Sequence, residues 1–296
     1  GNLVDFLIYT FNGVFIGLLY ALIALGFIVI YRAGKILNLA QGELVVVGGF
    51  FLWWFLKQFN FPVWLGLIMA FACSIALGLL IERIIFRPLI GQSLFAIFMV
   101  TVGLMILLRG GILVKWGPAP RAFPAILSRI PIIIGPLTFN RSILIGGLAS
   151  LVIIAVISWL FEHTLWGLKL TAVAEDHQVA QSLGISVRKS IAIAWVIGGV
   201  LSTFAAIVFL NGRTLTFLAS DIGMRALPVA LLAGMESIWG APLAGIIIGI
   251  GEAWAGAYLD PYTNGSMSET FPFILMLVIL LFRPYGLFGW RTIERV

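Results

Sequence analysis

Residues 6–30, FLIYTFNGVFIGLLYALIALGFIVI, contain no Asp, Glu, Lys or Arg. As a helix rising about 1.5 Å per residue, such a run is about 37 Å long, enough to cross a hydrocarbon core of about 30 Å. It exceeds the apolar region of a cleavable signal peptide, and no small-residue cleavage site ends it. Further apolar runs follow at 39–56, 62–81, 94–114, 142–161, 191–210, 222–236, 242–259 and 271–282. The last three are the weakest, and 222–236 is short enough to be re-entrant. The whole chain is 61% hydrophobic and 10% charged, with mean hydropathy +1.13, where a soluble domain carries about 25% charged residues. The runs are continuous rather than alternating, which argues against a β-barrel. The expected fold is all-α: a polytopic transmembrane helical bundle of eight or nine spans, forming one domain over residues 1–296.

The net charge of +6 reflects basic residues in the loops between spans and gives no reason to expect nucleic-acid binding. With the N-terminus outside, the cytoplasmic side collects Arg32, Lys35, Arg83, Arg87, Lys169, Arg188, Lys189, Arg283, Arg291 and Arg295. The outer side holds Lys57, Lys115, Arg121, Arg129, Arg141 and Arg213, so basic residues favour the inside as insertion topology requires. The acidic 259–270 loop falls outside. The loop 115–141 contains five prolines and cannot be one helix. Its apolar stretch at 130–134 is suited to a vestibule or a short strand pair. No internal repeat or low-complexity segment is visible.

Between two of these spans lies a polar island, residues 162–190, EHTLWGLKLTAVAEDHQVAQSLGISVRKS. A helix is expected from Thr171 to Leu183, with Val173, Ala180 and Leu183 on one face and Glu175, Gln178 and Ser182 on another. Gly184 follows as the natural C-terminal stop. A short amphipathic helix, a glycine turn and a return to the membrane make a knob able to transmit force. Periodicity alone fits an interfacial helix on the headgroups equally well.

An ionisable residue inside a span is costly and is usually functional or paired. Asn38, Gln41, Gly42 and Glu43 stand at the start of the second span, where two amides, a carboxylate and an irregular backbone at glycine suit a substrate pathway. A position at the headgroup level, or pairing of Glu43 with Arg32 or Lys35, is the structural alternative. Thr101 offers the pathway a hydroxyl, or a bond back to its own helix. Ala241, Gly245, Gly249, Ala253 and Ala257 recur every four residues, a row that lets helices approach closely. Glu252 borders that row and is expected to face protein and make a structural hydrogen bond. Arg109 and Arg225 are explained by snorkelling to an interface.

Several chemistries have no residues to support them. No phosphate-binding loop of the Gly-x-x-x-x-Gly-Lys type occurs, because Val29 occupies the first glycine position before Gly34-Lys35. His163 and His177 both fall in the island, and no metal-ligand cluster is formed. Cys73 is the only cysteine and lies in an apolar run, where it serves packing. No nucleophile–base pair or paired acidic motif suggests catalysis.

The run AVAEDHQVAQSLGISVRKSIAIAWVIGG at 172–199 resembles the coupling loop of permease subunits of bacterial ABC importers, specifically the branched-chain amino acid (LivH-type) family. The stretch at 21–50, the segments IERIIFRPL, VTVGL and GPAPRAFP, the run at 230–253 and the closing LVILLFRPYGLFG resemble the family in order and position. The likeness covers nearly the full length. It implies that Ala174, Glu175, Asp176, Ala180, Leu183, Gly184 and Ile185 couple to an ATPase. It also implies a second homologous permease subunit (a heterodimer), two ATPase subunits carrying ATP and Mg, a periplasmic substrate-binding protein and the bacterial inner membrane. No cofactor is expected on this chain. Two departures fall where cargo would approach. The family commonly shows Asn-Phe-Ala-His-Gly where this chain has Asn38-Leu39-Ala40-Gln41-Gly42, and a glycine-rich turn at Met235-Glu236-Ser237. Urea, short amides, aromatic acids and sugars are the alternative cargoes, and an ion-coupled carrier using Glu43 or Glu252 is the alternative class.

Overall fold

A computed structural model describes residues 2–128, 130–211, 213–235 and 237–288. Arg129, Glu236, Arg291 and Arg295, used in the charge count and span assignment, lie outside the described residues. The helices are α1 (Asn2–Gly34), α2 (Gln41–Trp53), α3 (Val63–Ile81), α4 (Leu94–Lys115), α5 (Arg141–His163), α6 (Leu165–Glu175), α7 (His177–Ser182), α8 (Val187–Leu210), α9 (Asp221–Ala233), α10 (Gly240–Trp254) and α11 (Met267–Phe282). Among the described residues, six helical segments are long and apolar enough to cross a membrane: α1, α3 extended to Leu89, α4, α5, α8, and α10 extended to Tyr262. The helical parts of α2, α9 and α11 are shorter. The chain is thus a polytopic helical protein.

It divides into two compact units. One comprises residues 26–126 and 157–223. Here α2 is the central element, in contact with α8, α3, α4 and the 3₁₀ turn Phe217–Ser220, and buried along nearly its whole length. Small residues make the helix crossings close. A Cβ on Gly78 would lie 2.7 Å from the Trp195 carbonyl oxygen, and one on Gly199 would lie 2.8 Å from that of Ser74. The Ser74 and Thr203 hydroxyls meet across α3 and α8 at 2.5 Å. Phe86 stacks on Trp195 with ring centroids 4.5 Å apart. Strands β1 (Arg121–Ala122) and β4 (Thr214–Leu215) pair antiparallel.

The other unit comprises residues 1–25, 127–156 and 224–296. The row of small residues on α10 finds its partner in α1, where Gly13 and Gly17 face Gly249 and Gly245. A Cβ on Gly249 would sit 2.1 Å from the Gly13 carbonyl oxygen. The helices therefore touch backbone to backbone, the arrangement that small-x-x-x-small patterns permit. In the proline-rich loop, β2 (Ile132–Ile134) and β3 (Leu137–Phe139) form a hairpin. Gly135, at φ 58°, supplies the left-handed residue that its two-residue turn needs. Phe139 packs edge-on against Phe11 and Phe15.

The island folds differently from one helix over 171–183. Asp176 adopts an extended conformation, φ −155° and ψ 115°, and ends α6. Its carboxylate then accepts the Gln178 and Val179 N–H groups at 2.8 and 3.2 Å and starts α7. An aspartate whose side chain replaces the missing helical acceptors makes this break favourable. The break re-aims the second half. Val173 and Ala180 remain buried on one core with Val187 and Ile191, but Leu183 turns out and is 71% exposed.

Candidate functional site

Two places gather the polar residues singled out from the sequence. The first is the start of α2. Helix α1 ends at Gly34 and Lys35 takes a left-handed φ of 55°. The chain then runs without helix to Gln41, held by the Ala40 N–H bonded to Asn38 Oδ1 at 3.1 Å. Thr101 on α4 braces this stretch. Its hydroxyl donates to the Leu37 carbonyl at 3.2 Å and to Phe98 at 2.7 Å, and accepts the Leu39 N–H at 3.4 Å. Both readings of Thr101 from sequence involved a free or self-bonded hydroxyl; the structure adds a tertiary role.

Thr101 lies seven residues into α4 and Arg109 fifteen, so the two are about 12 Å apart along the axis. The stretch just before α2 meets Thr101 and Glu43, in the first turn of α2, meets Arg109, so α2 begins part-way along α4 instead of level with its end. Its N-cap, Ala40, provides no side-chain acceptor. Gln41 Nε2 donates to Ser202 Oγ at 2.8 Å and to the Gly198 carbonyl at 3.4 Å. Gly42 admits Ser220 and Gly223 so closely that its Cβ would lie 2.5 Å from the Ser220 oxygen.

Glu43 pairs with neither Arg32 nor Lys35. Its Oε1 accepts from Arg109 Nε at 3.2 Å, while Arg109 Nη2 donates to Ser220 Oγ at 2.6 Å. The guanidinium also lies over the Phe217 ring at 5.9 Å. Snorkelling thus gives the wrong account of Arg109, because the side chain spends its donors inside the unit. Arg32 is engaged by Thr171 Oγ1 at 3.2 Å and by the Phe161 ring. Although Asn38, Gln41 and Glu43 are all buried, each keeps one atom without a hydrogen-bond partner: Asn38 Nδ2, Gln41 Oε1 and Glu43 Oε2. Buried polar atoms are nearly always satisfied, and here three lack a partner within six residues.

The second place is the knob formed by α6 and α7. Gly184, at φ 81°, closes α7. The Ile185 N–H reaches back to the Ala180 carbonyl and the Gly184 N–H to that of Gln181, both at 3.0 Å. This paired closure needs a left-handed residue, hence glycine. Ala180 is buried and anchors the knob. Asp176, Leu183 and Gly184 are exposed and Ile185 is half-buried. Ala174 and Glu175 fall on the last turn of α6, with side chains outside what the structure describes. Val179, exposed four residues before Leu183, completes an outward apolar pair that the single-helix reading missed. The capping aspartate at 176 was the signal that could have revealed it.

With this geometry in view, comparison with known proteins is decisive. A family model described as "Branched-chain amino acid transport system / permease component" matches residues 9–280. The chain belongs to this family. A high-affinity branched-chain amino acid permease protein, BraD of Pseudomonas aeruginosa, is 31% identical over 96% of both chains. LivH of Escherichia coli is 28% identical over 98% of both. A probable LivH of Methanocaldococcus jannaschii is 27% identical over 94% of this chain and 91% of its own. No solved structure matches. As a permease component, the protein belongs to the transport machinery and is not an enzyme.

In the permease's other unit, Glu252 accepts the Tyr20 hydroxyl at 3.0 Å, the protein-facing hydrogen bond expected beside the Gly245–Gly249 row. Arg225 does not snorkel free. It lies 3.9 Å from Glu252 and 3.6 Å from Glu269, a short acidic bracket that sequence separation conceals. Among the described residues, no group of three or more His, Cys, Asp or Glu side chains could hold a metal ion.

Proposed function

We propose that this chain is the membrane-spanning permease subunit of an ATP-driven importer for branched-chain amino acids in a bacterial inner membrane. Six long helices cross, and α2, α9 and α11 bring the count to eight or nine, within one permease domain whose 162–190 knob faces the cytoplasm. A second, homologous permease completes the pathway. Two ATPase subunits hold ATP and Mg, and a periplasmic binding protein delivers the cargo.

The observation that carries this reading is the trio of unsatisfied buried atoms at the broken start of α2. Helices interrupted within the membrane are where transporters place their binding groups, since backbone and side-chain dipoles there are free to face a ligand. The knob supplies the drive. ATP closure of the ATPases pushes on Val179, Leu183 and the Gly184 turn, and α8, which follows directly, carries that movement into the unit containing α2. Glu43 and Glu252, the carboxylates an ion-coupled carrier would titrate, both face an arginine, which favours the ATP-driven mechanism.

Reconstitution with the cognate ATPases, second permease and binding protein tests this function. Leucine, isoleucine and valine should enter proteoliposomes only with ATP. Uptake by this chain alone under a proton or sodium gradient, or uptake of urea or a sugar in place of these amino acids, refutes it.

A further inference from the structure

We propose that the Glu43–Arg109 pair is the permease's receptor for the two charges of an α-amino acid, with Arg109 taking the carboxylate and Glu43 the ammonium. The inference rests on the amino-acid reading above and adds the groups that recognise the cargo. A free α-amino acid carries both charges on one carbon, so an opposite charge for each is a direct way to recognise it inside a membrane. In this unit one buried carboxylate and one guanidinium stand 3.2 Å apart at the start of α2. In the absence of cargo each neutralises the other, which avoids an isolated buried charge.

The pair is incompletely used, unlike a purely structural bridge. Only Glu43 Oε1 accepts from Arg109; Oε2 is buried with no partner, in a residue 2% exposed. Arg109 contacts Glu43 through Nε, not in the two-pronged manner that satisfies both carboxylate oxygens. Its side chain is 39% exposed, so one member of the pair is accessible and the other is held. Ser220 fixes Nη2, and Phe217 offers an aromatic wall beside the guanidinium. When a zwitterion inserts, the direct pair separates into two new pairs of the same charge types. The number of ion pairs rises from one to two, and Oε2 gains a donor.

The test uses the assembled importer in nanodiscs and proteoliposomes, comparing wild type with Glu43→Gln, Arg109→Gln and the double variant Glu43→Gln/Arg109→Gln. Wild-type leucine uptake reports separately on the function proposed above; without it, that reading fails independently of this one. Where wild type transports, the double variant should lose about tenfold or more in leucine uptake, as expected when charge-assisted contacts to cargo are removed. If the pair is only a structural bridge, the double variant, with no unpaired charge left, recovers uptake to near wild type while the single variants fail. That result overturns the inference.

A second measurement keeps the question open to refutation even if every variant fails to assemble. The wild-type complex without binding protein or nucleotide is melted with leucine, 4-methylpentanoate or 3-methylbutylamine at equal millimolar concentration. Leucine alone should raise the melting temperature, because only it fills both half-sites. An equal rise with either analogue, or none with leucine up to its solubility, rejects the two-charge receptor.

Discussion

Replacing Gly249 with alanine tests the packing of α1 on α10 with one added methyl group. The new Cβ would stand 2.1 Å from the Gly13 carbonyl oxygen and 2.7 Å from the Gly17 Cα. Both contacts are backbone, so no side chain can swing aside. Restoring ordinary contact at 3.4 Å requires the helices to separate by about 1.3 Å (3.4 − 2.1). Overpacking of this kind costs about 1–3 kcal/mol, and the upper end applies where backbone must move. Separation also stretches the 3.0 Å bond from Tyr20 to Glu252, which lies three residues beyond the crossing on each helix; an intramembrane bond of this kind contributes about 0.6 kcal/mol. The purified permease should lose about 2–4 kcal/mol in all, read as a lower melting temperature in nanodiscs. Gly103→Ala and Gly111→Ala on α4 serve as controls, since a Cβ at either position meets nothing within 4 Å. They should melt at or slightly above wild type, because alanine favours the helix over glycine. The reasoning is refuted if Gly249→Ala melts with wild type, or if the controls lose as much.

Asp176→Ala removes the acceptor for two α7 N–H groups. About 1 kcal/mol of local stability should go, seen as faster amide hydrogen exchange over residues 177–182 with little change elsewhere. Gly184→Pro forces a negative φ where +81° is needed and deletes the N–H bonded to Gln181. This variant should insert but hydrolyse ATP without uptake, and normal substrate-driven uptake would count against the coupling role. Arg225→Met leaves Glu252 with Tyr20 as its remaining partner. Its melting temperature should fall clearly in wild type and much less in a Glu252→Gln background, because only the ionised acid needs the arginine.

The long helices were legible because an apolar run of twenty or more residues has few other solutions. All nine apolar runs correspond to helices, with ends displaced by a few residues. The small-residue row on α10 was legible too, but not its partner, since Gly13 and Gly17 sit in an apolar run with no distinguishing period. Arg109 and Arg225 were misread for the same reason. An isolated cation in a span resembles a snorkelling one until the fold brings Glu43, Glu252 and Glu269 to it across as many as 66 residues. The island's break was written in the sequence: Asp176 competes with the helix for backbone donors, and a one-residue interruption rotates everything after it. Thus Val173 and Ala180 kept their predicted face while Leu183 lost it. At the start of α2, the sequence showed a cluster of polar residue types. Their burial, and the three atoms left unsatisfied, emerged only from three-dimensional packing.

The central claim is that the α6–α7 knob meets an ATPase on the cytoplasmic side. With Cys73 replaced by serine, Leu183→Cys would be the sole cysteine in this chain, at a position 71% exposed. In right-side-out vesicles a membrane-impermeant maleimide should leave it unlabelled, and in inside-out vesicles it should react. A short bifunctional crosslinker should then join it to the ATPase subunit. Labelling from the outer face, or crosslinking that never captures the ATPase in a transport-competent complex, contradicts the account.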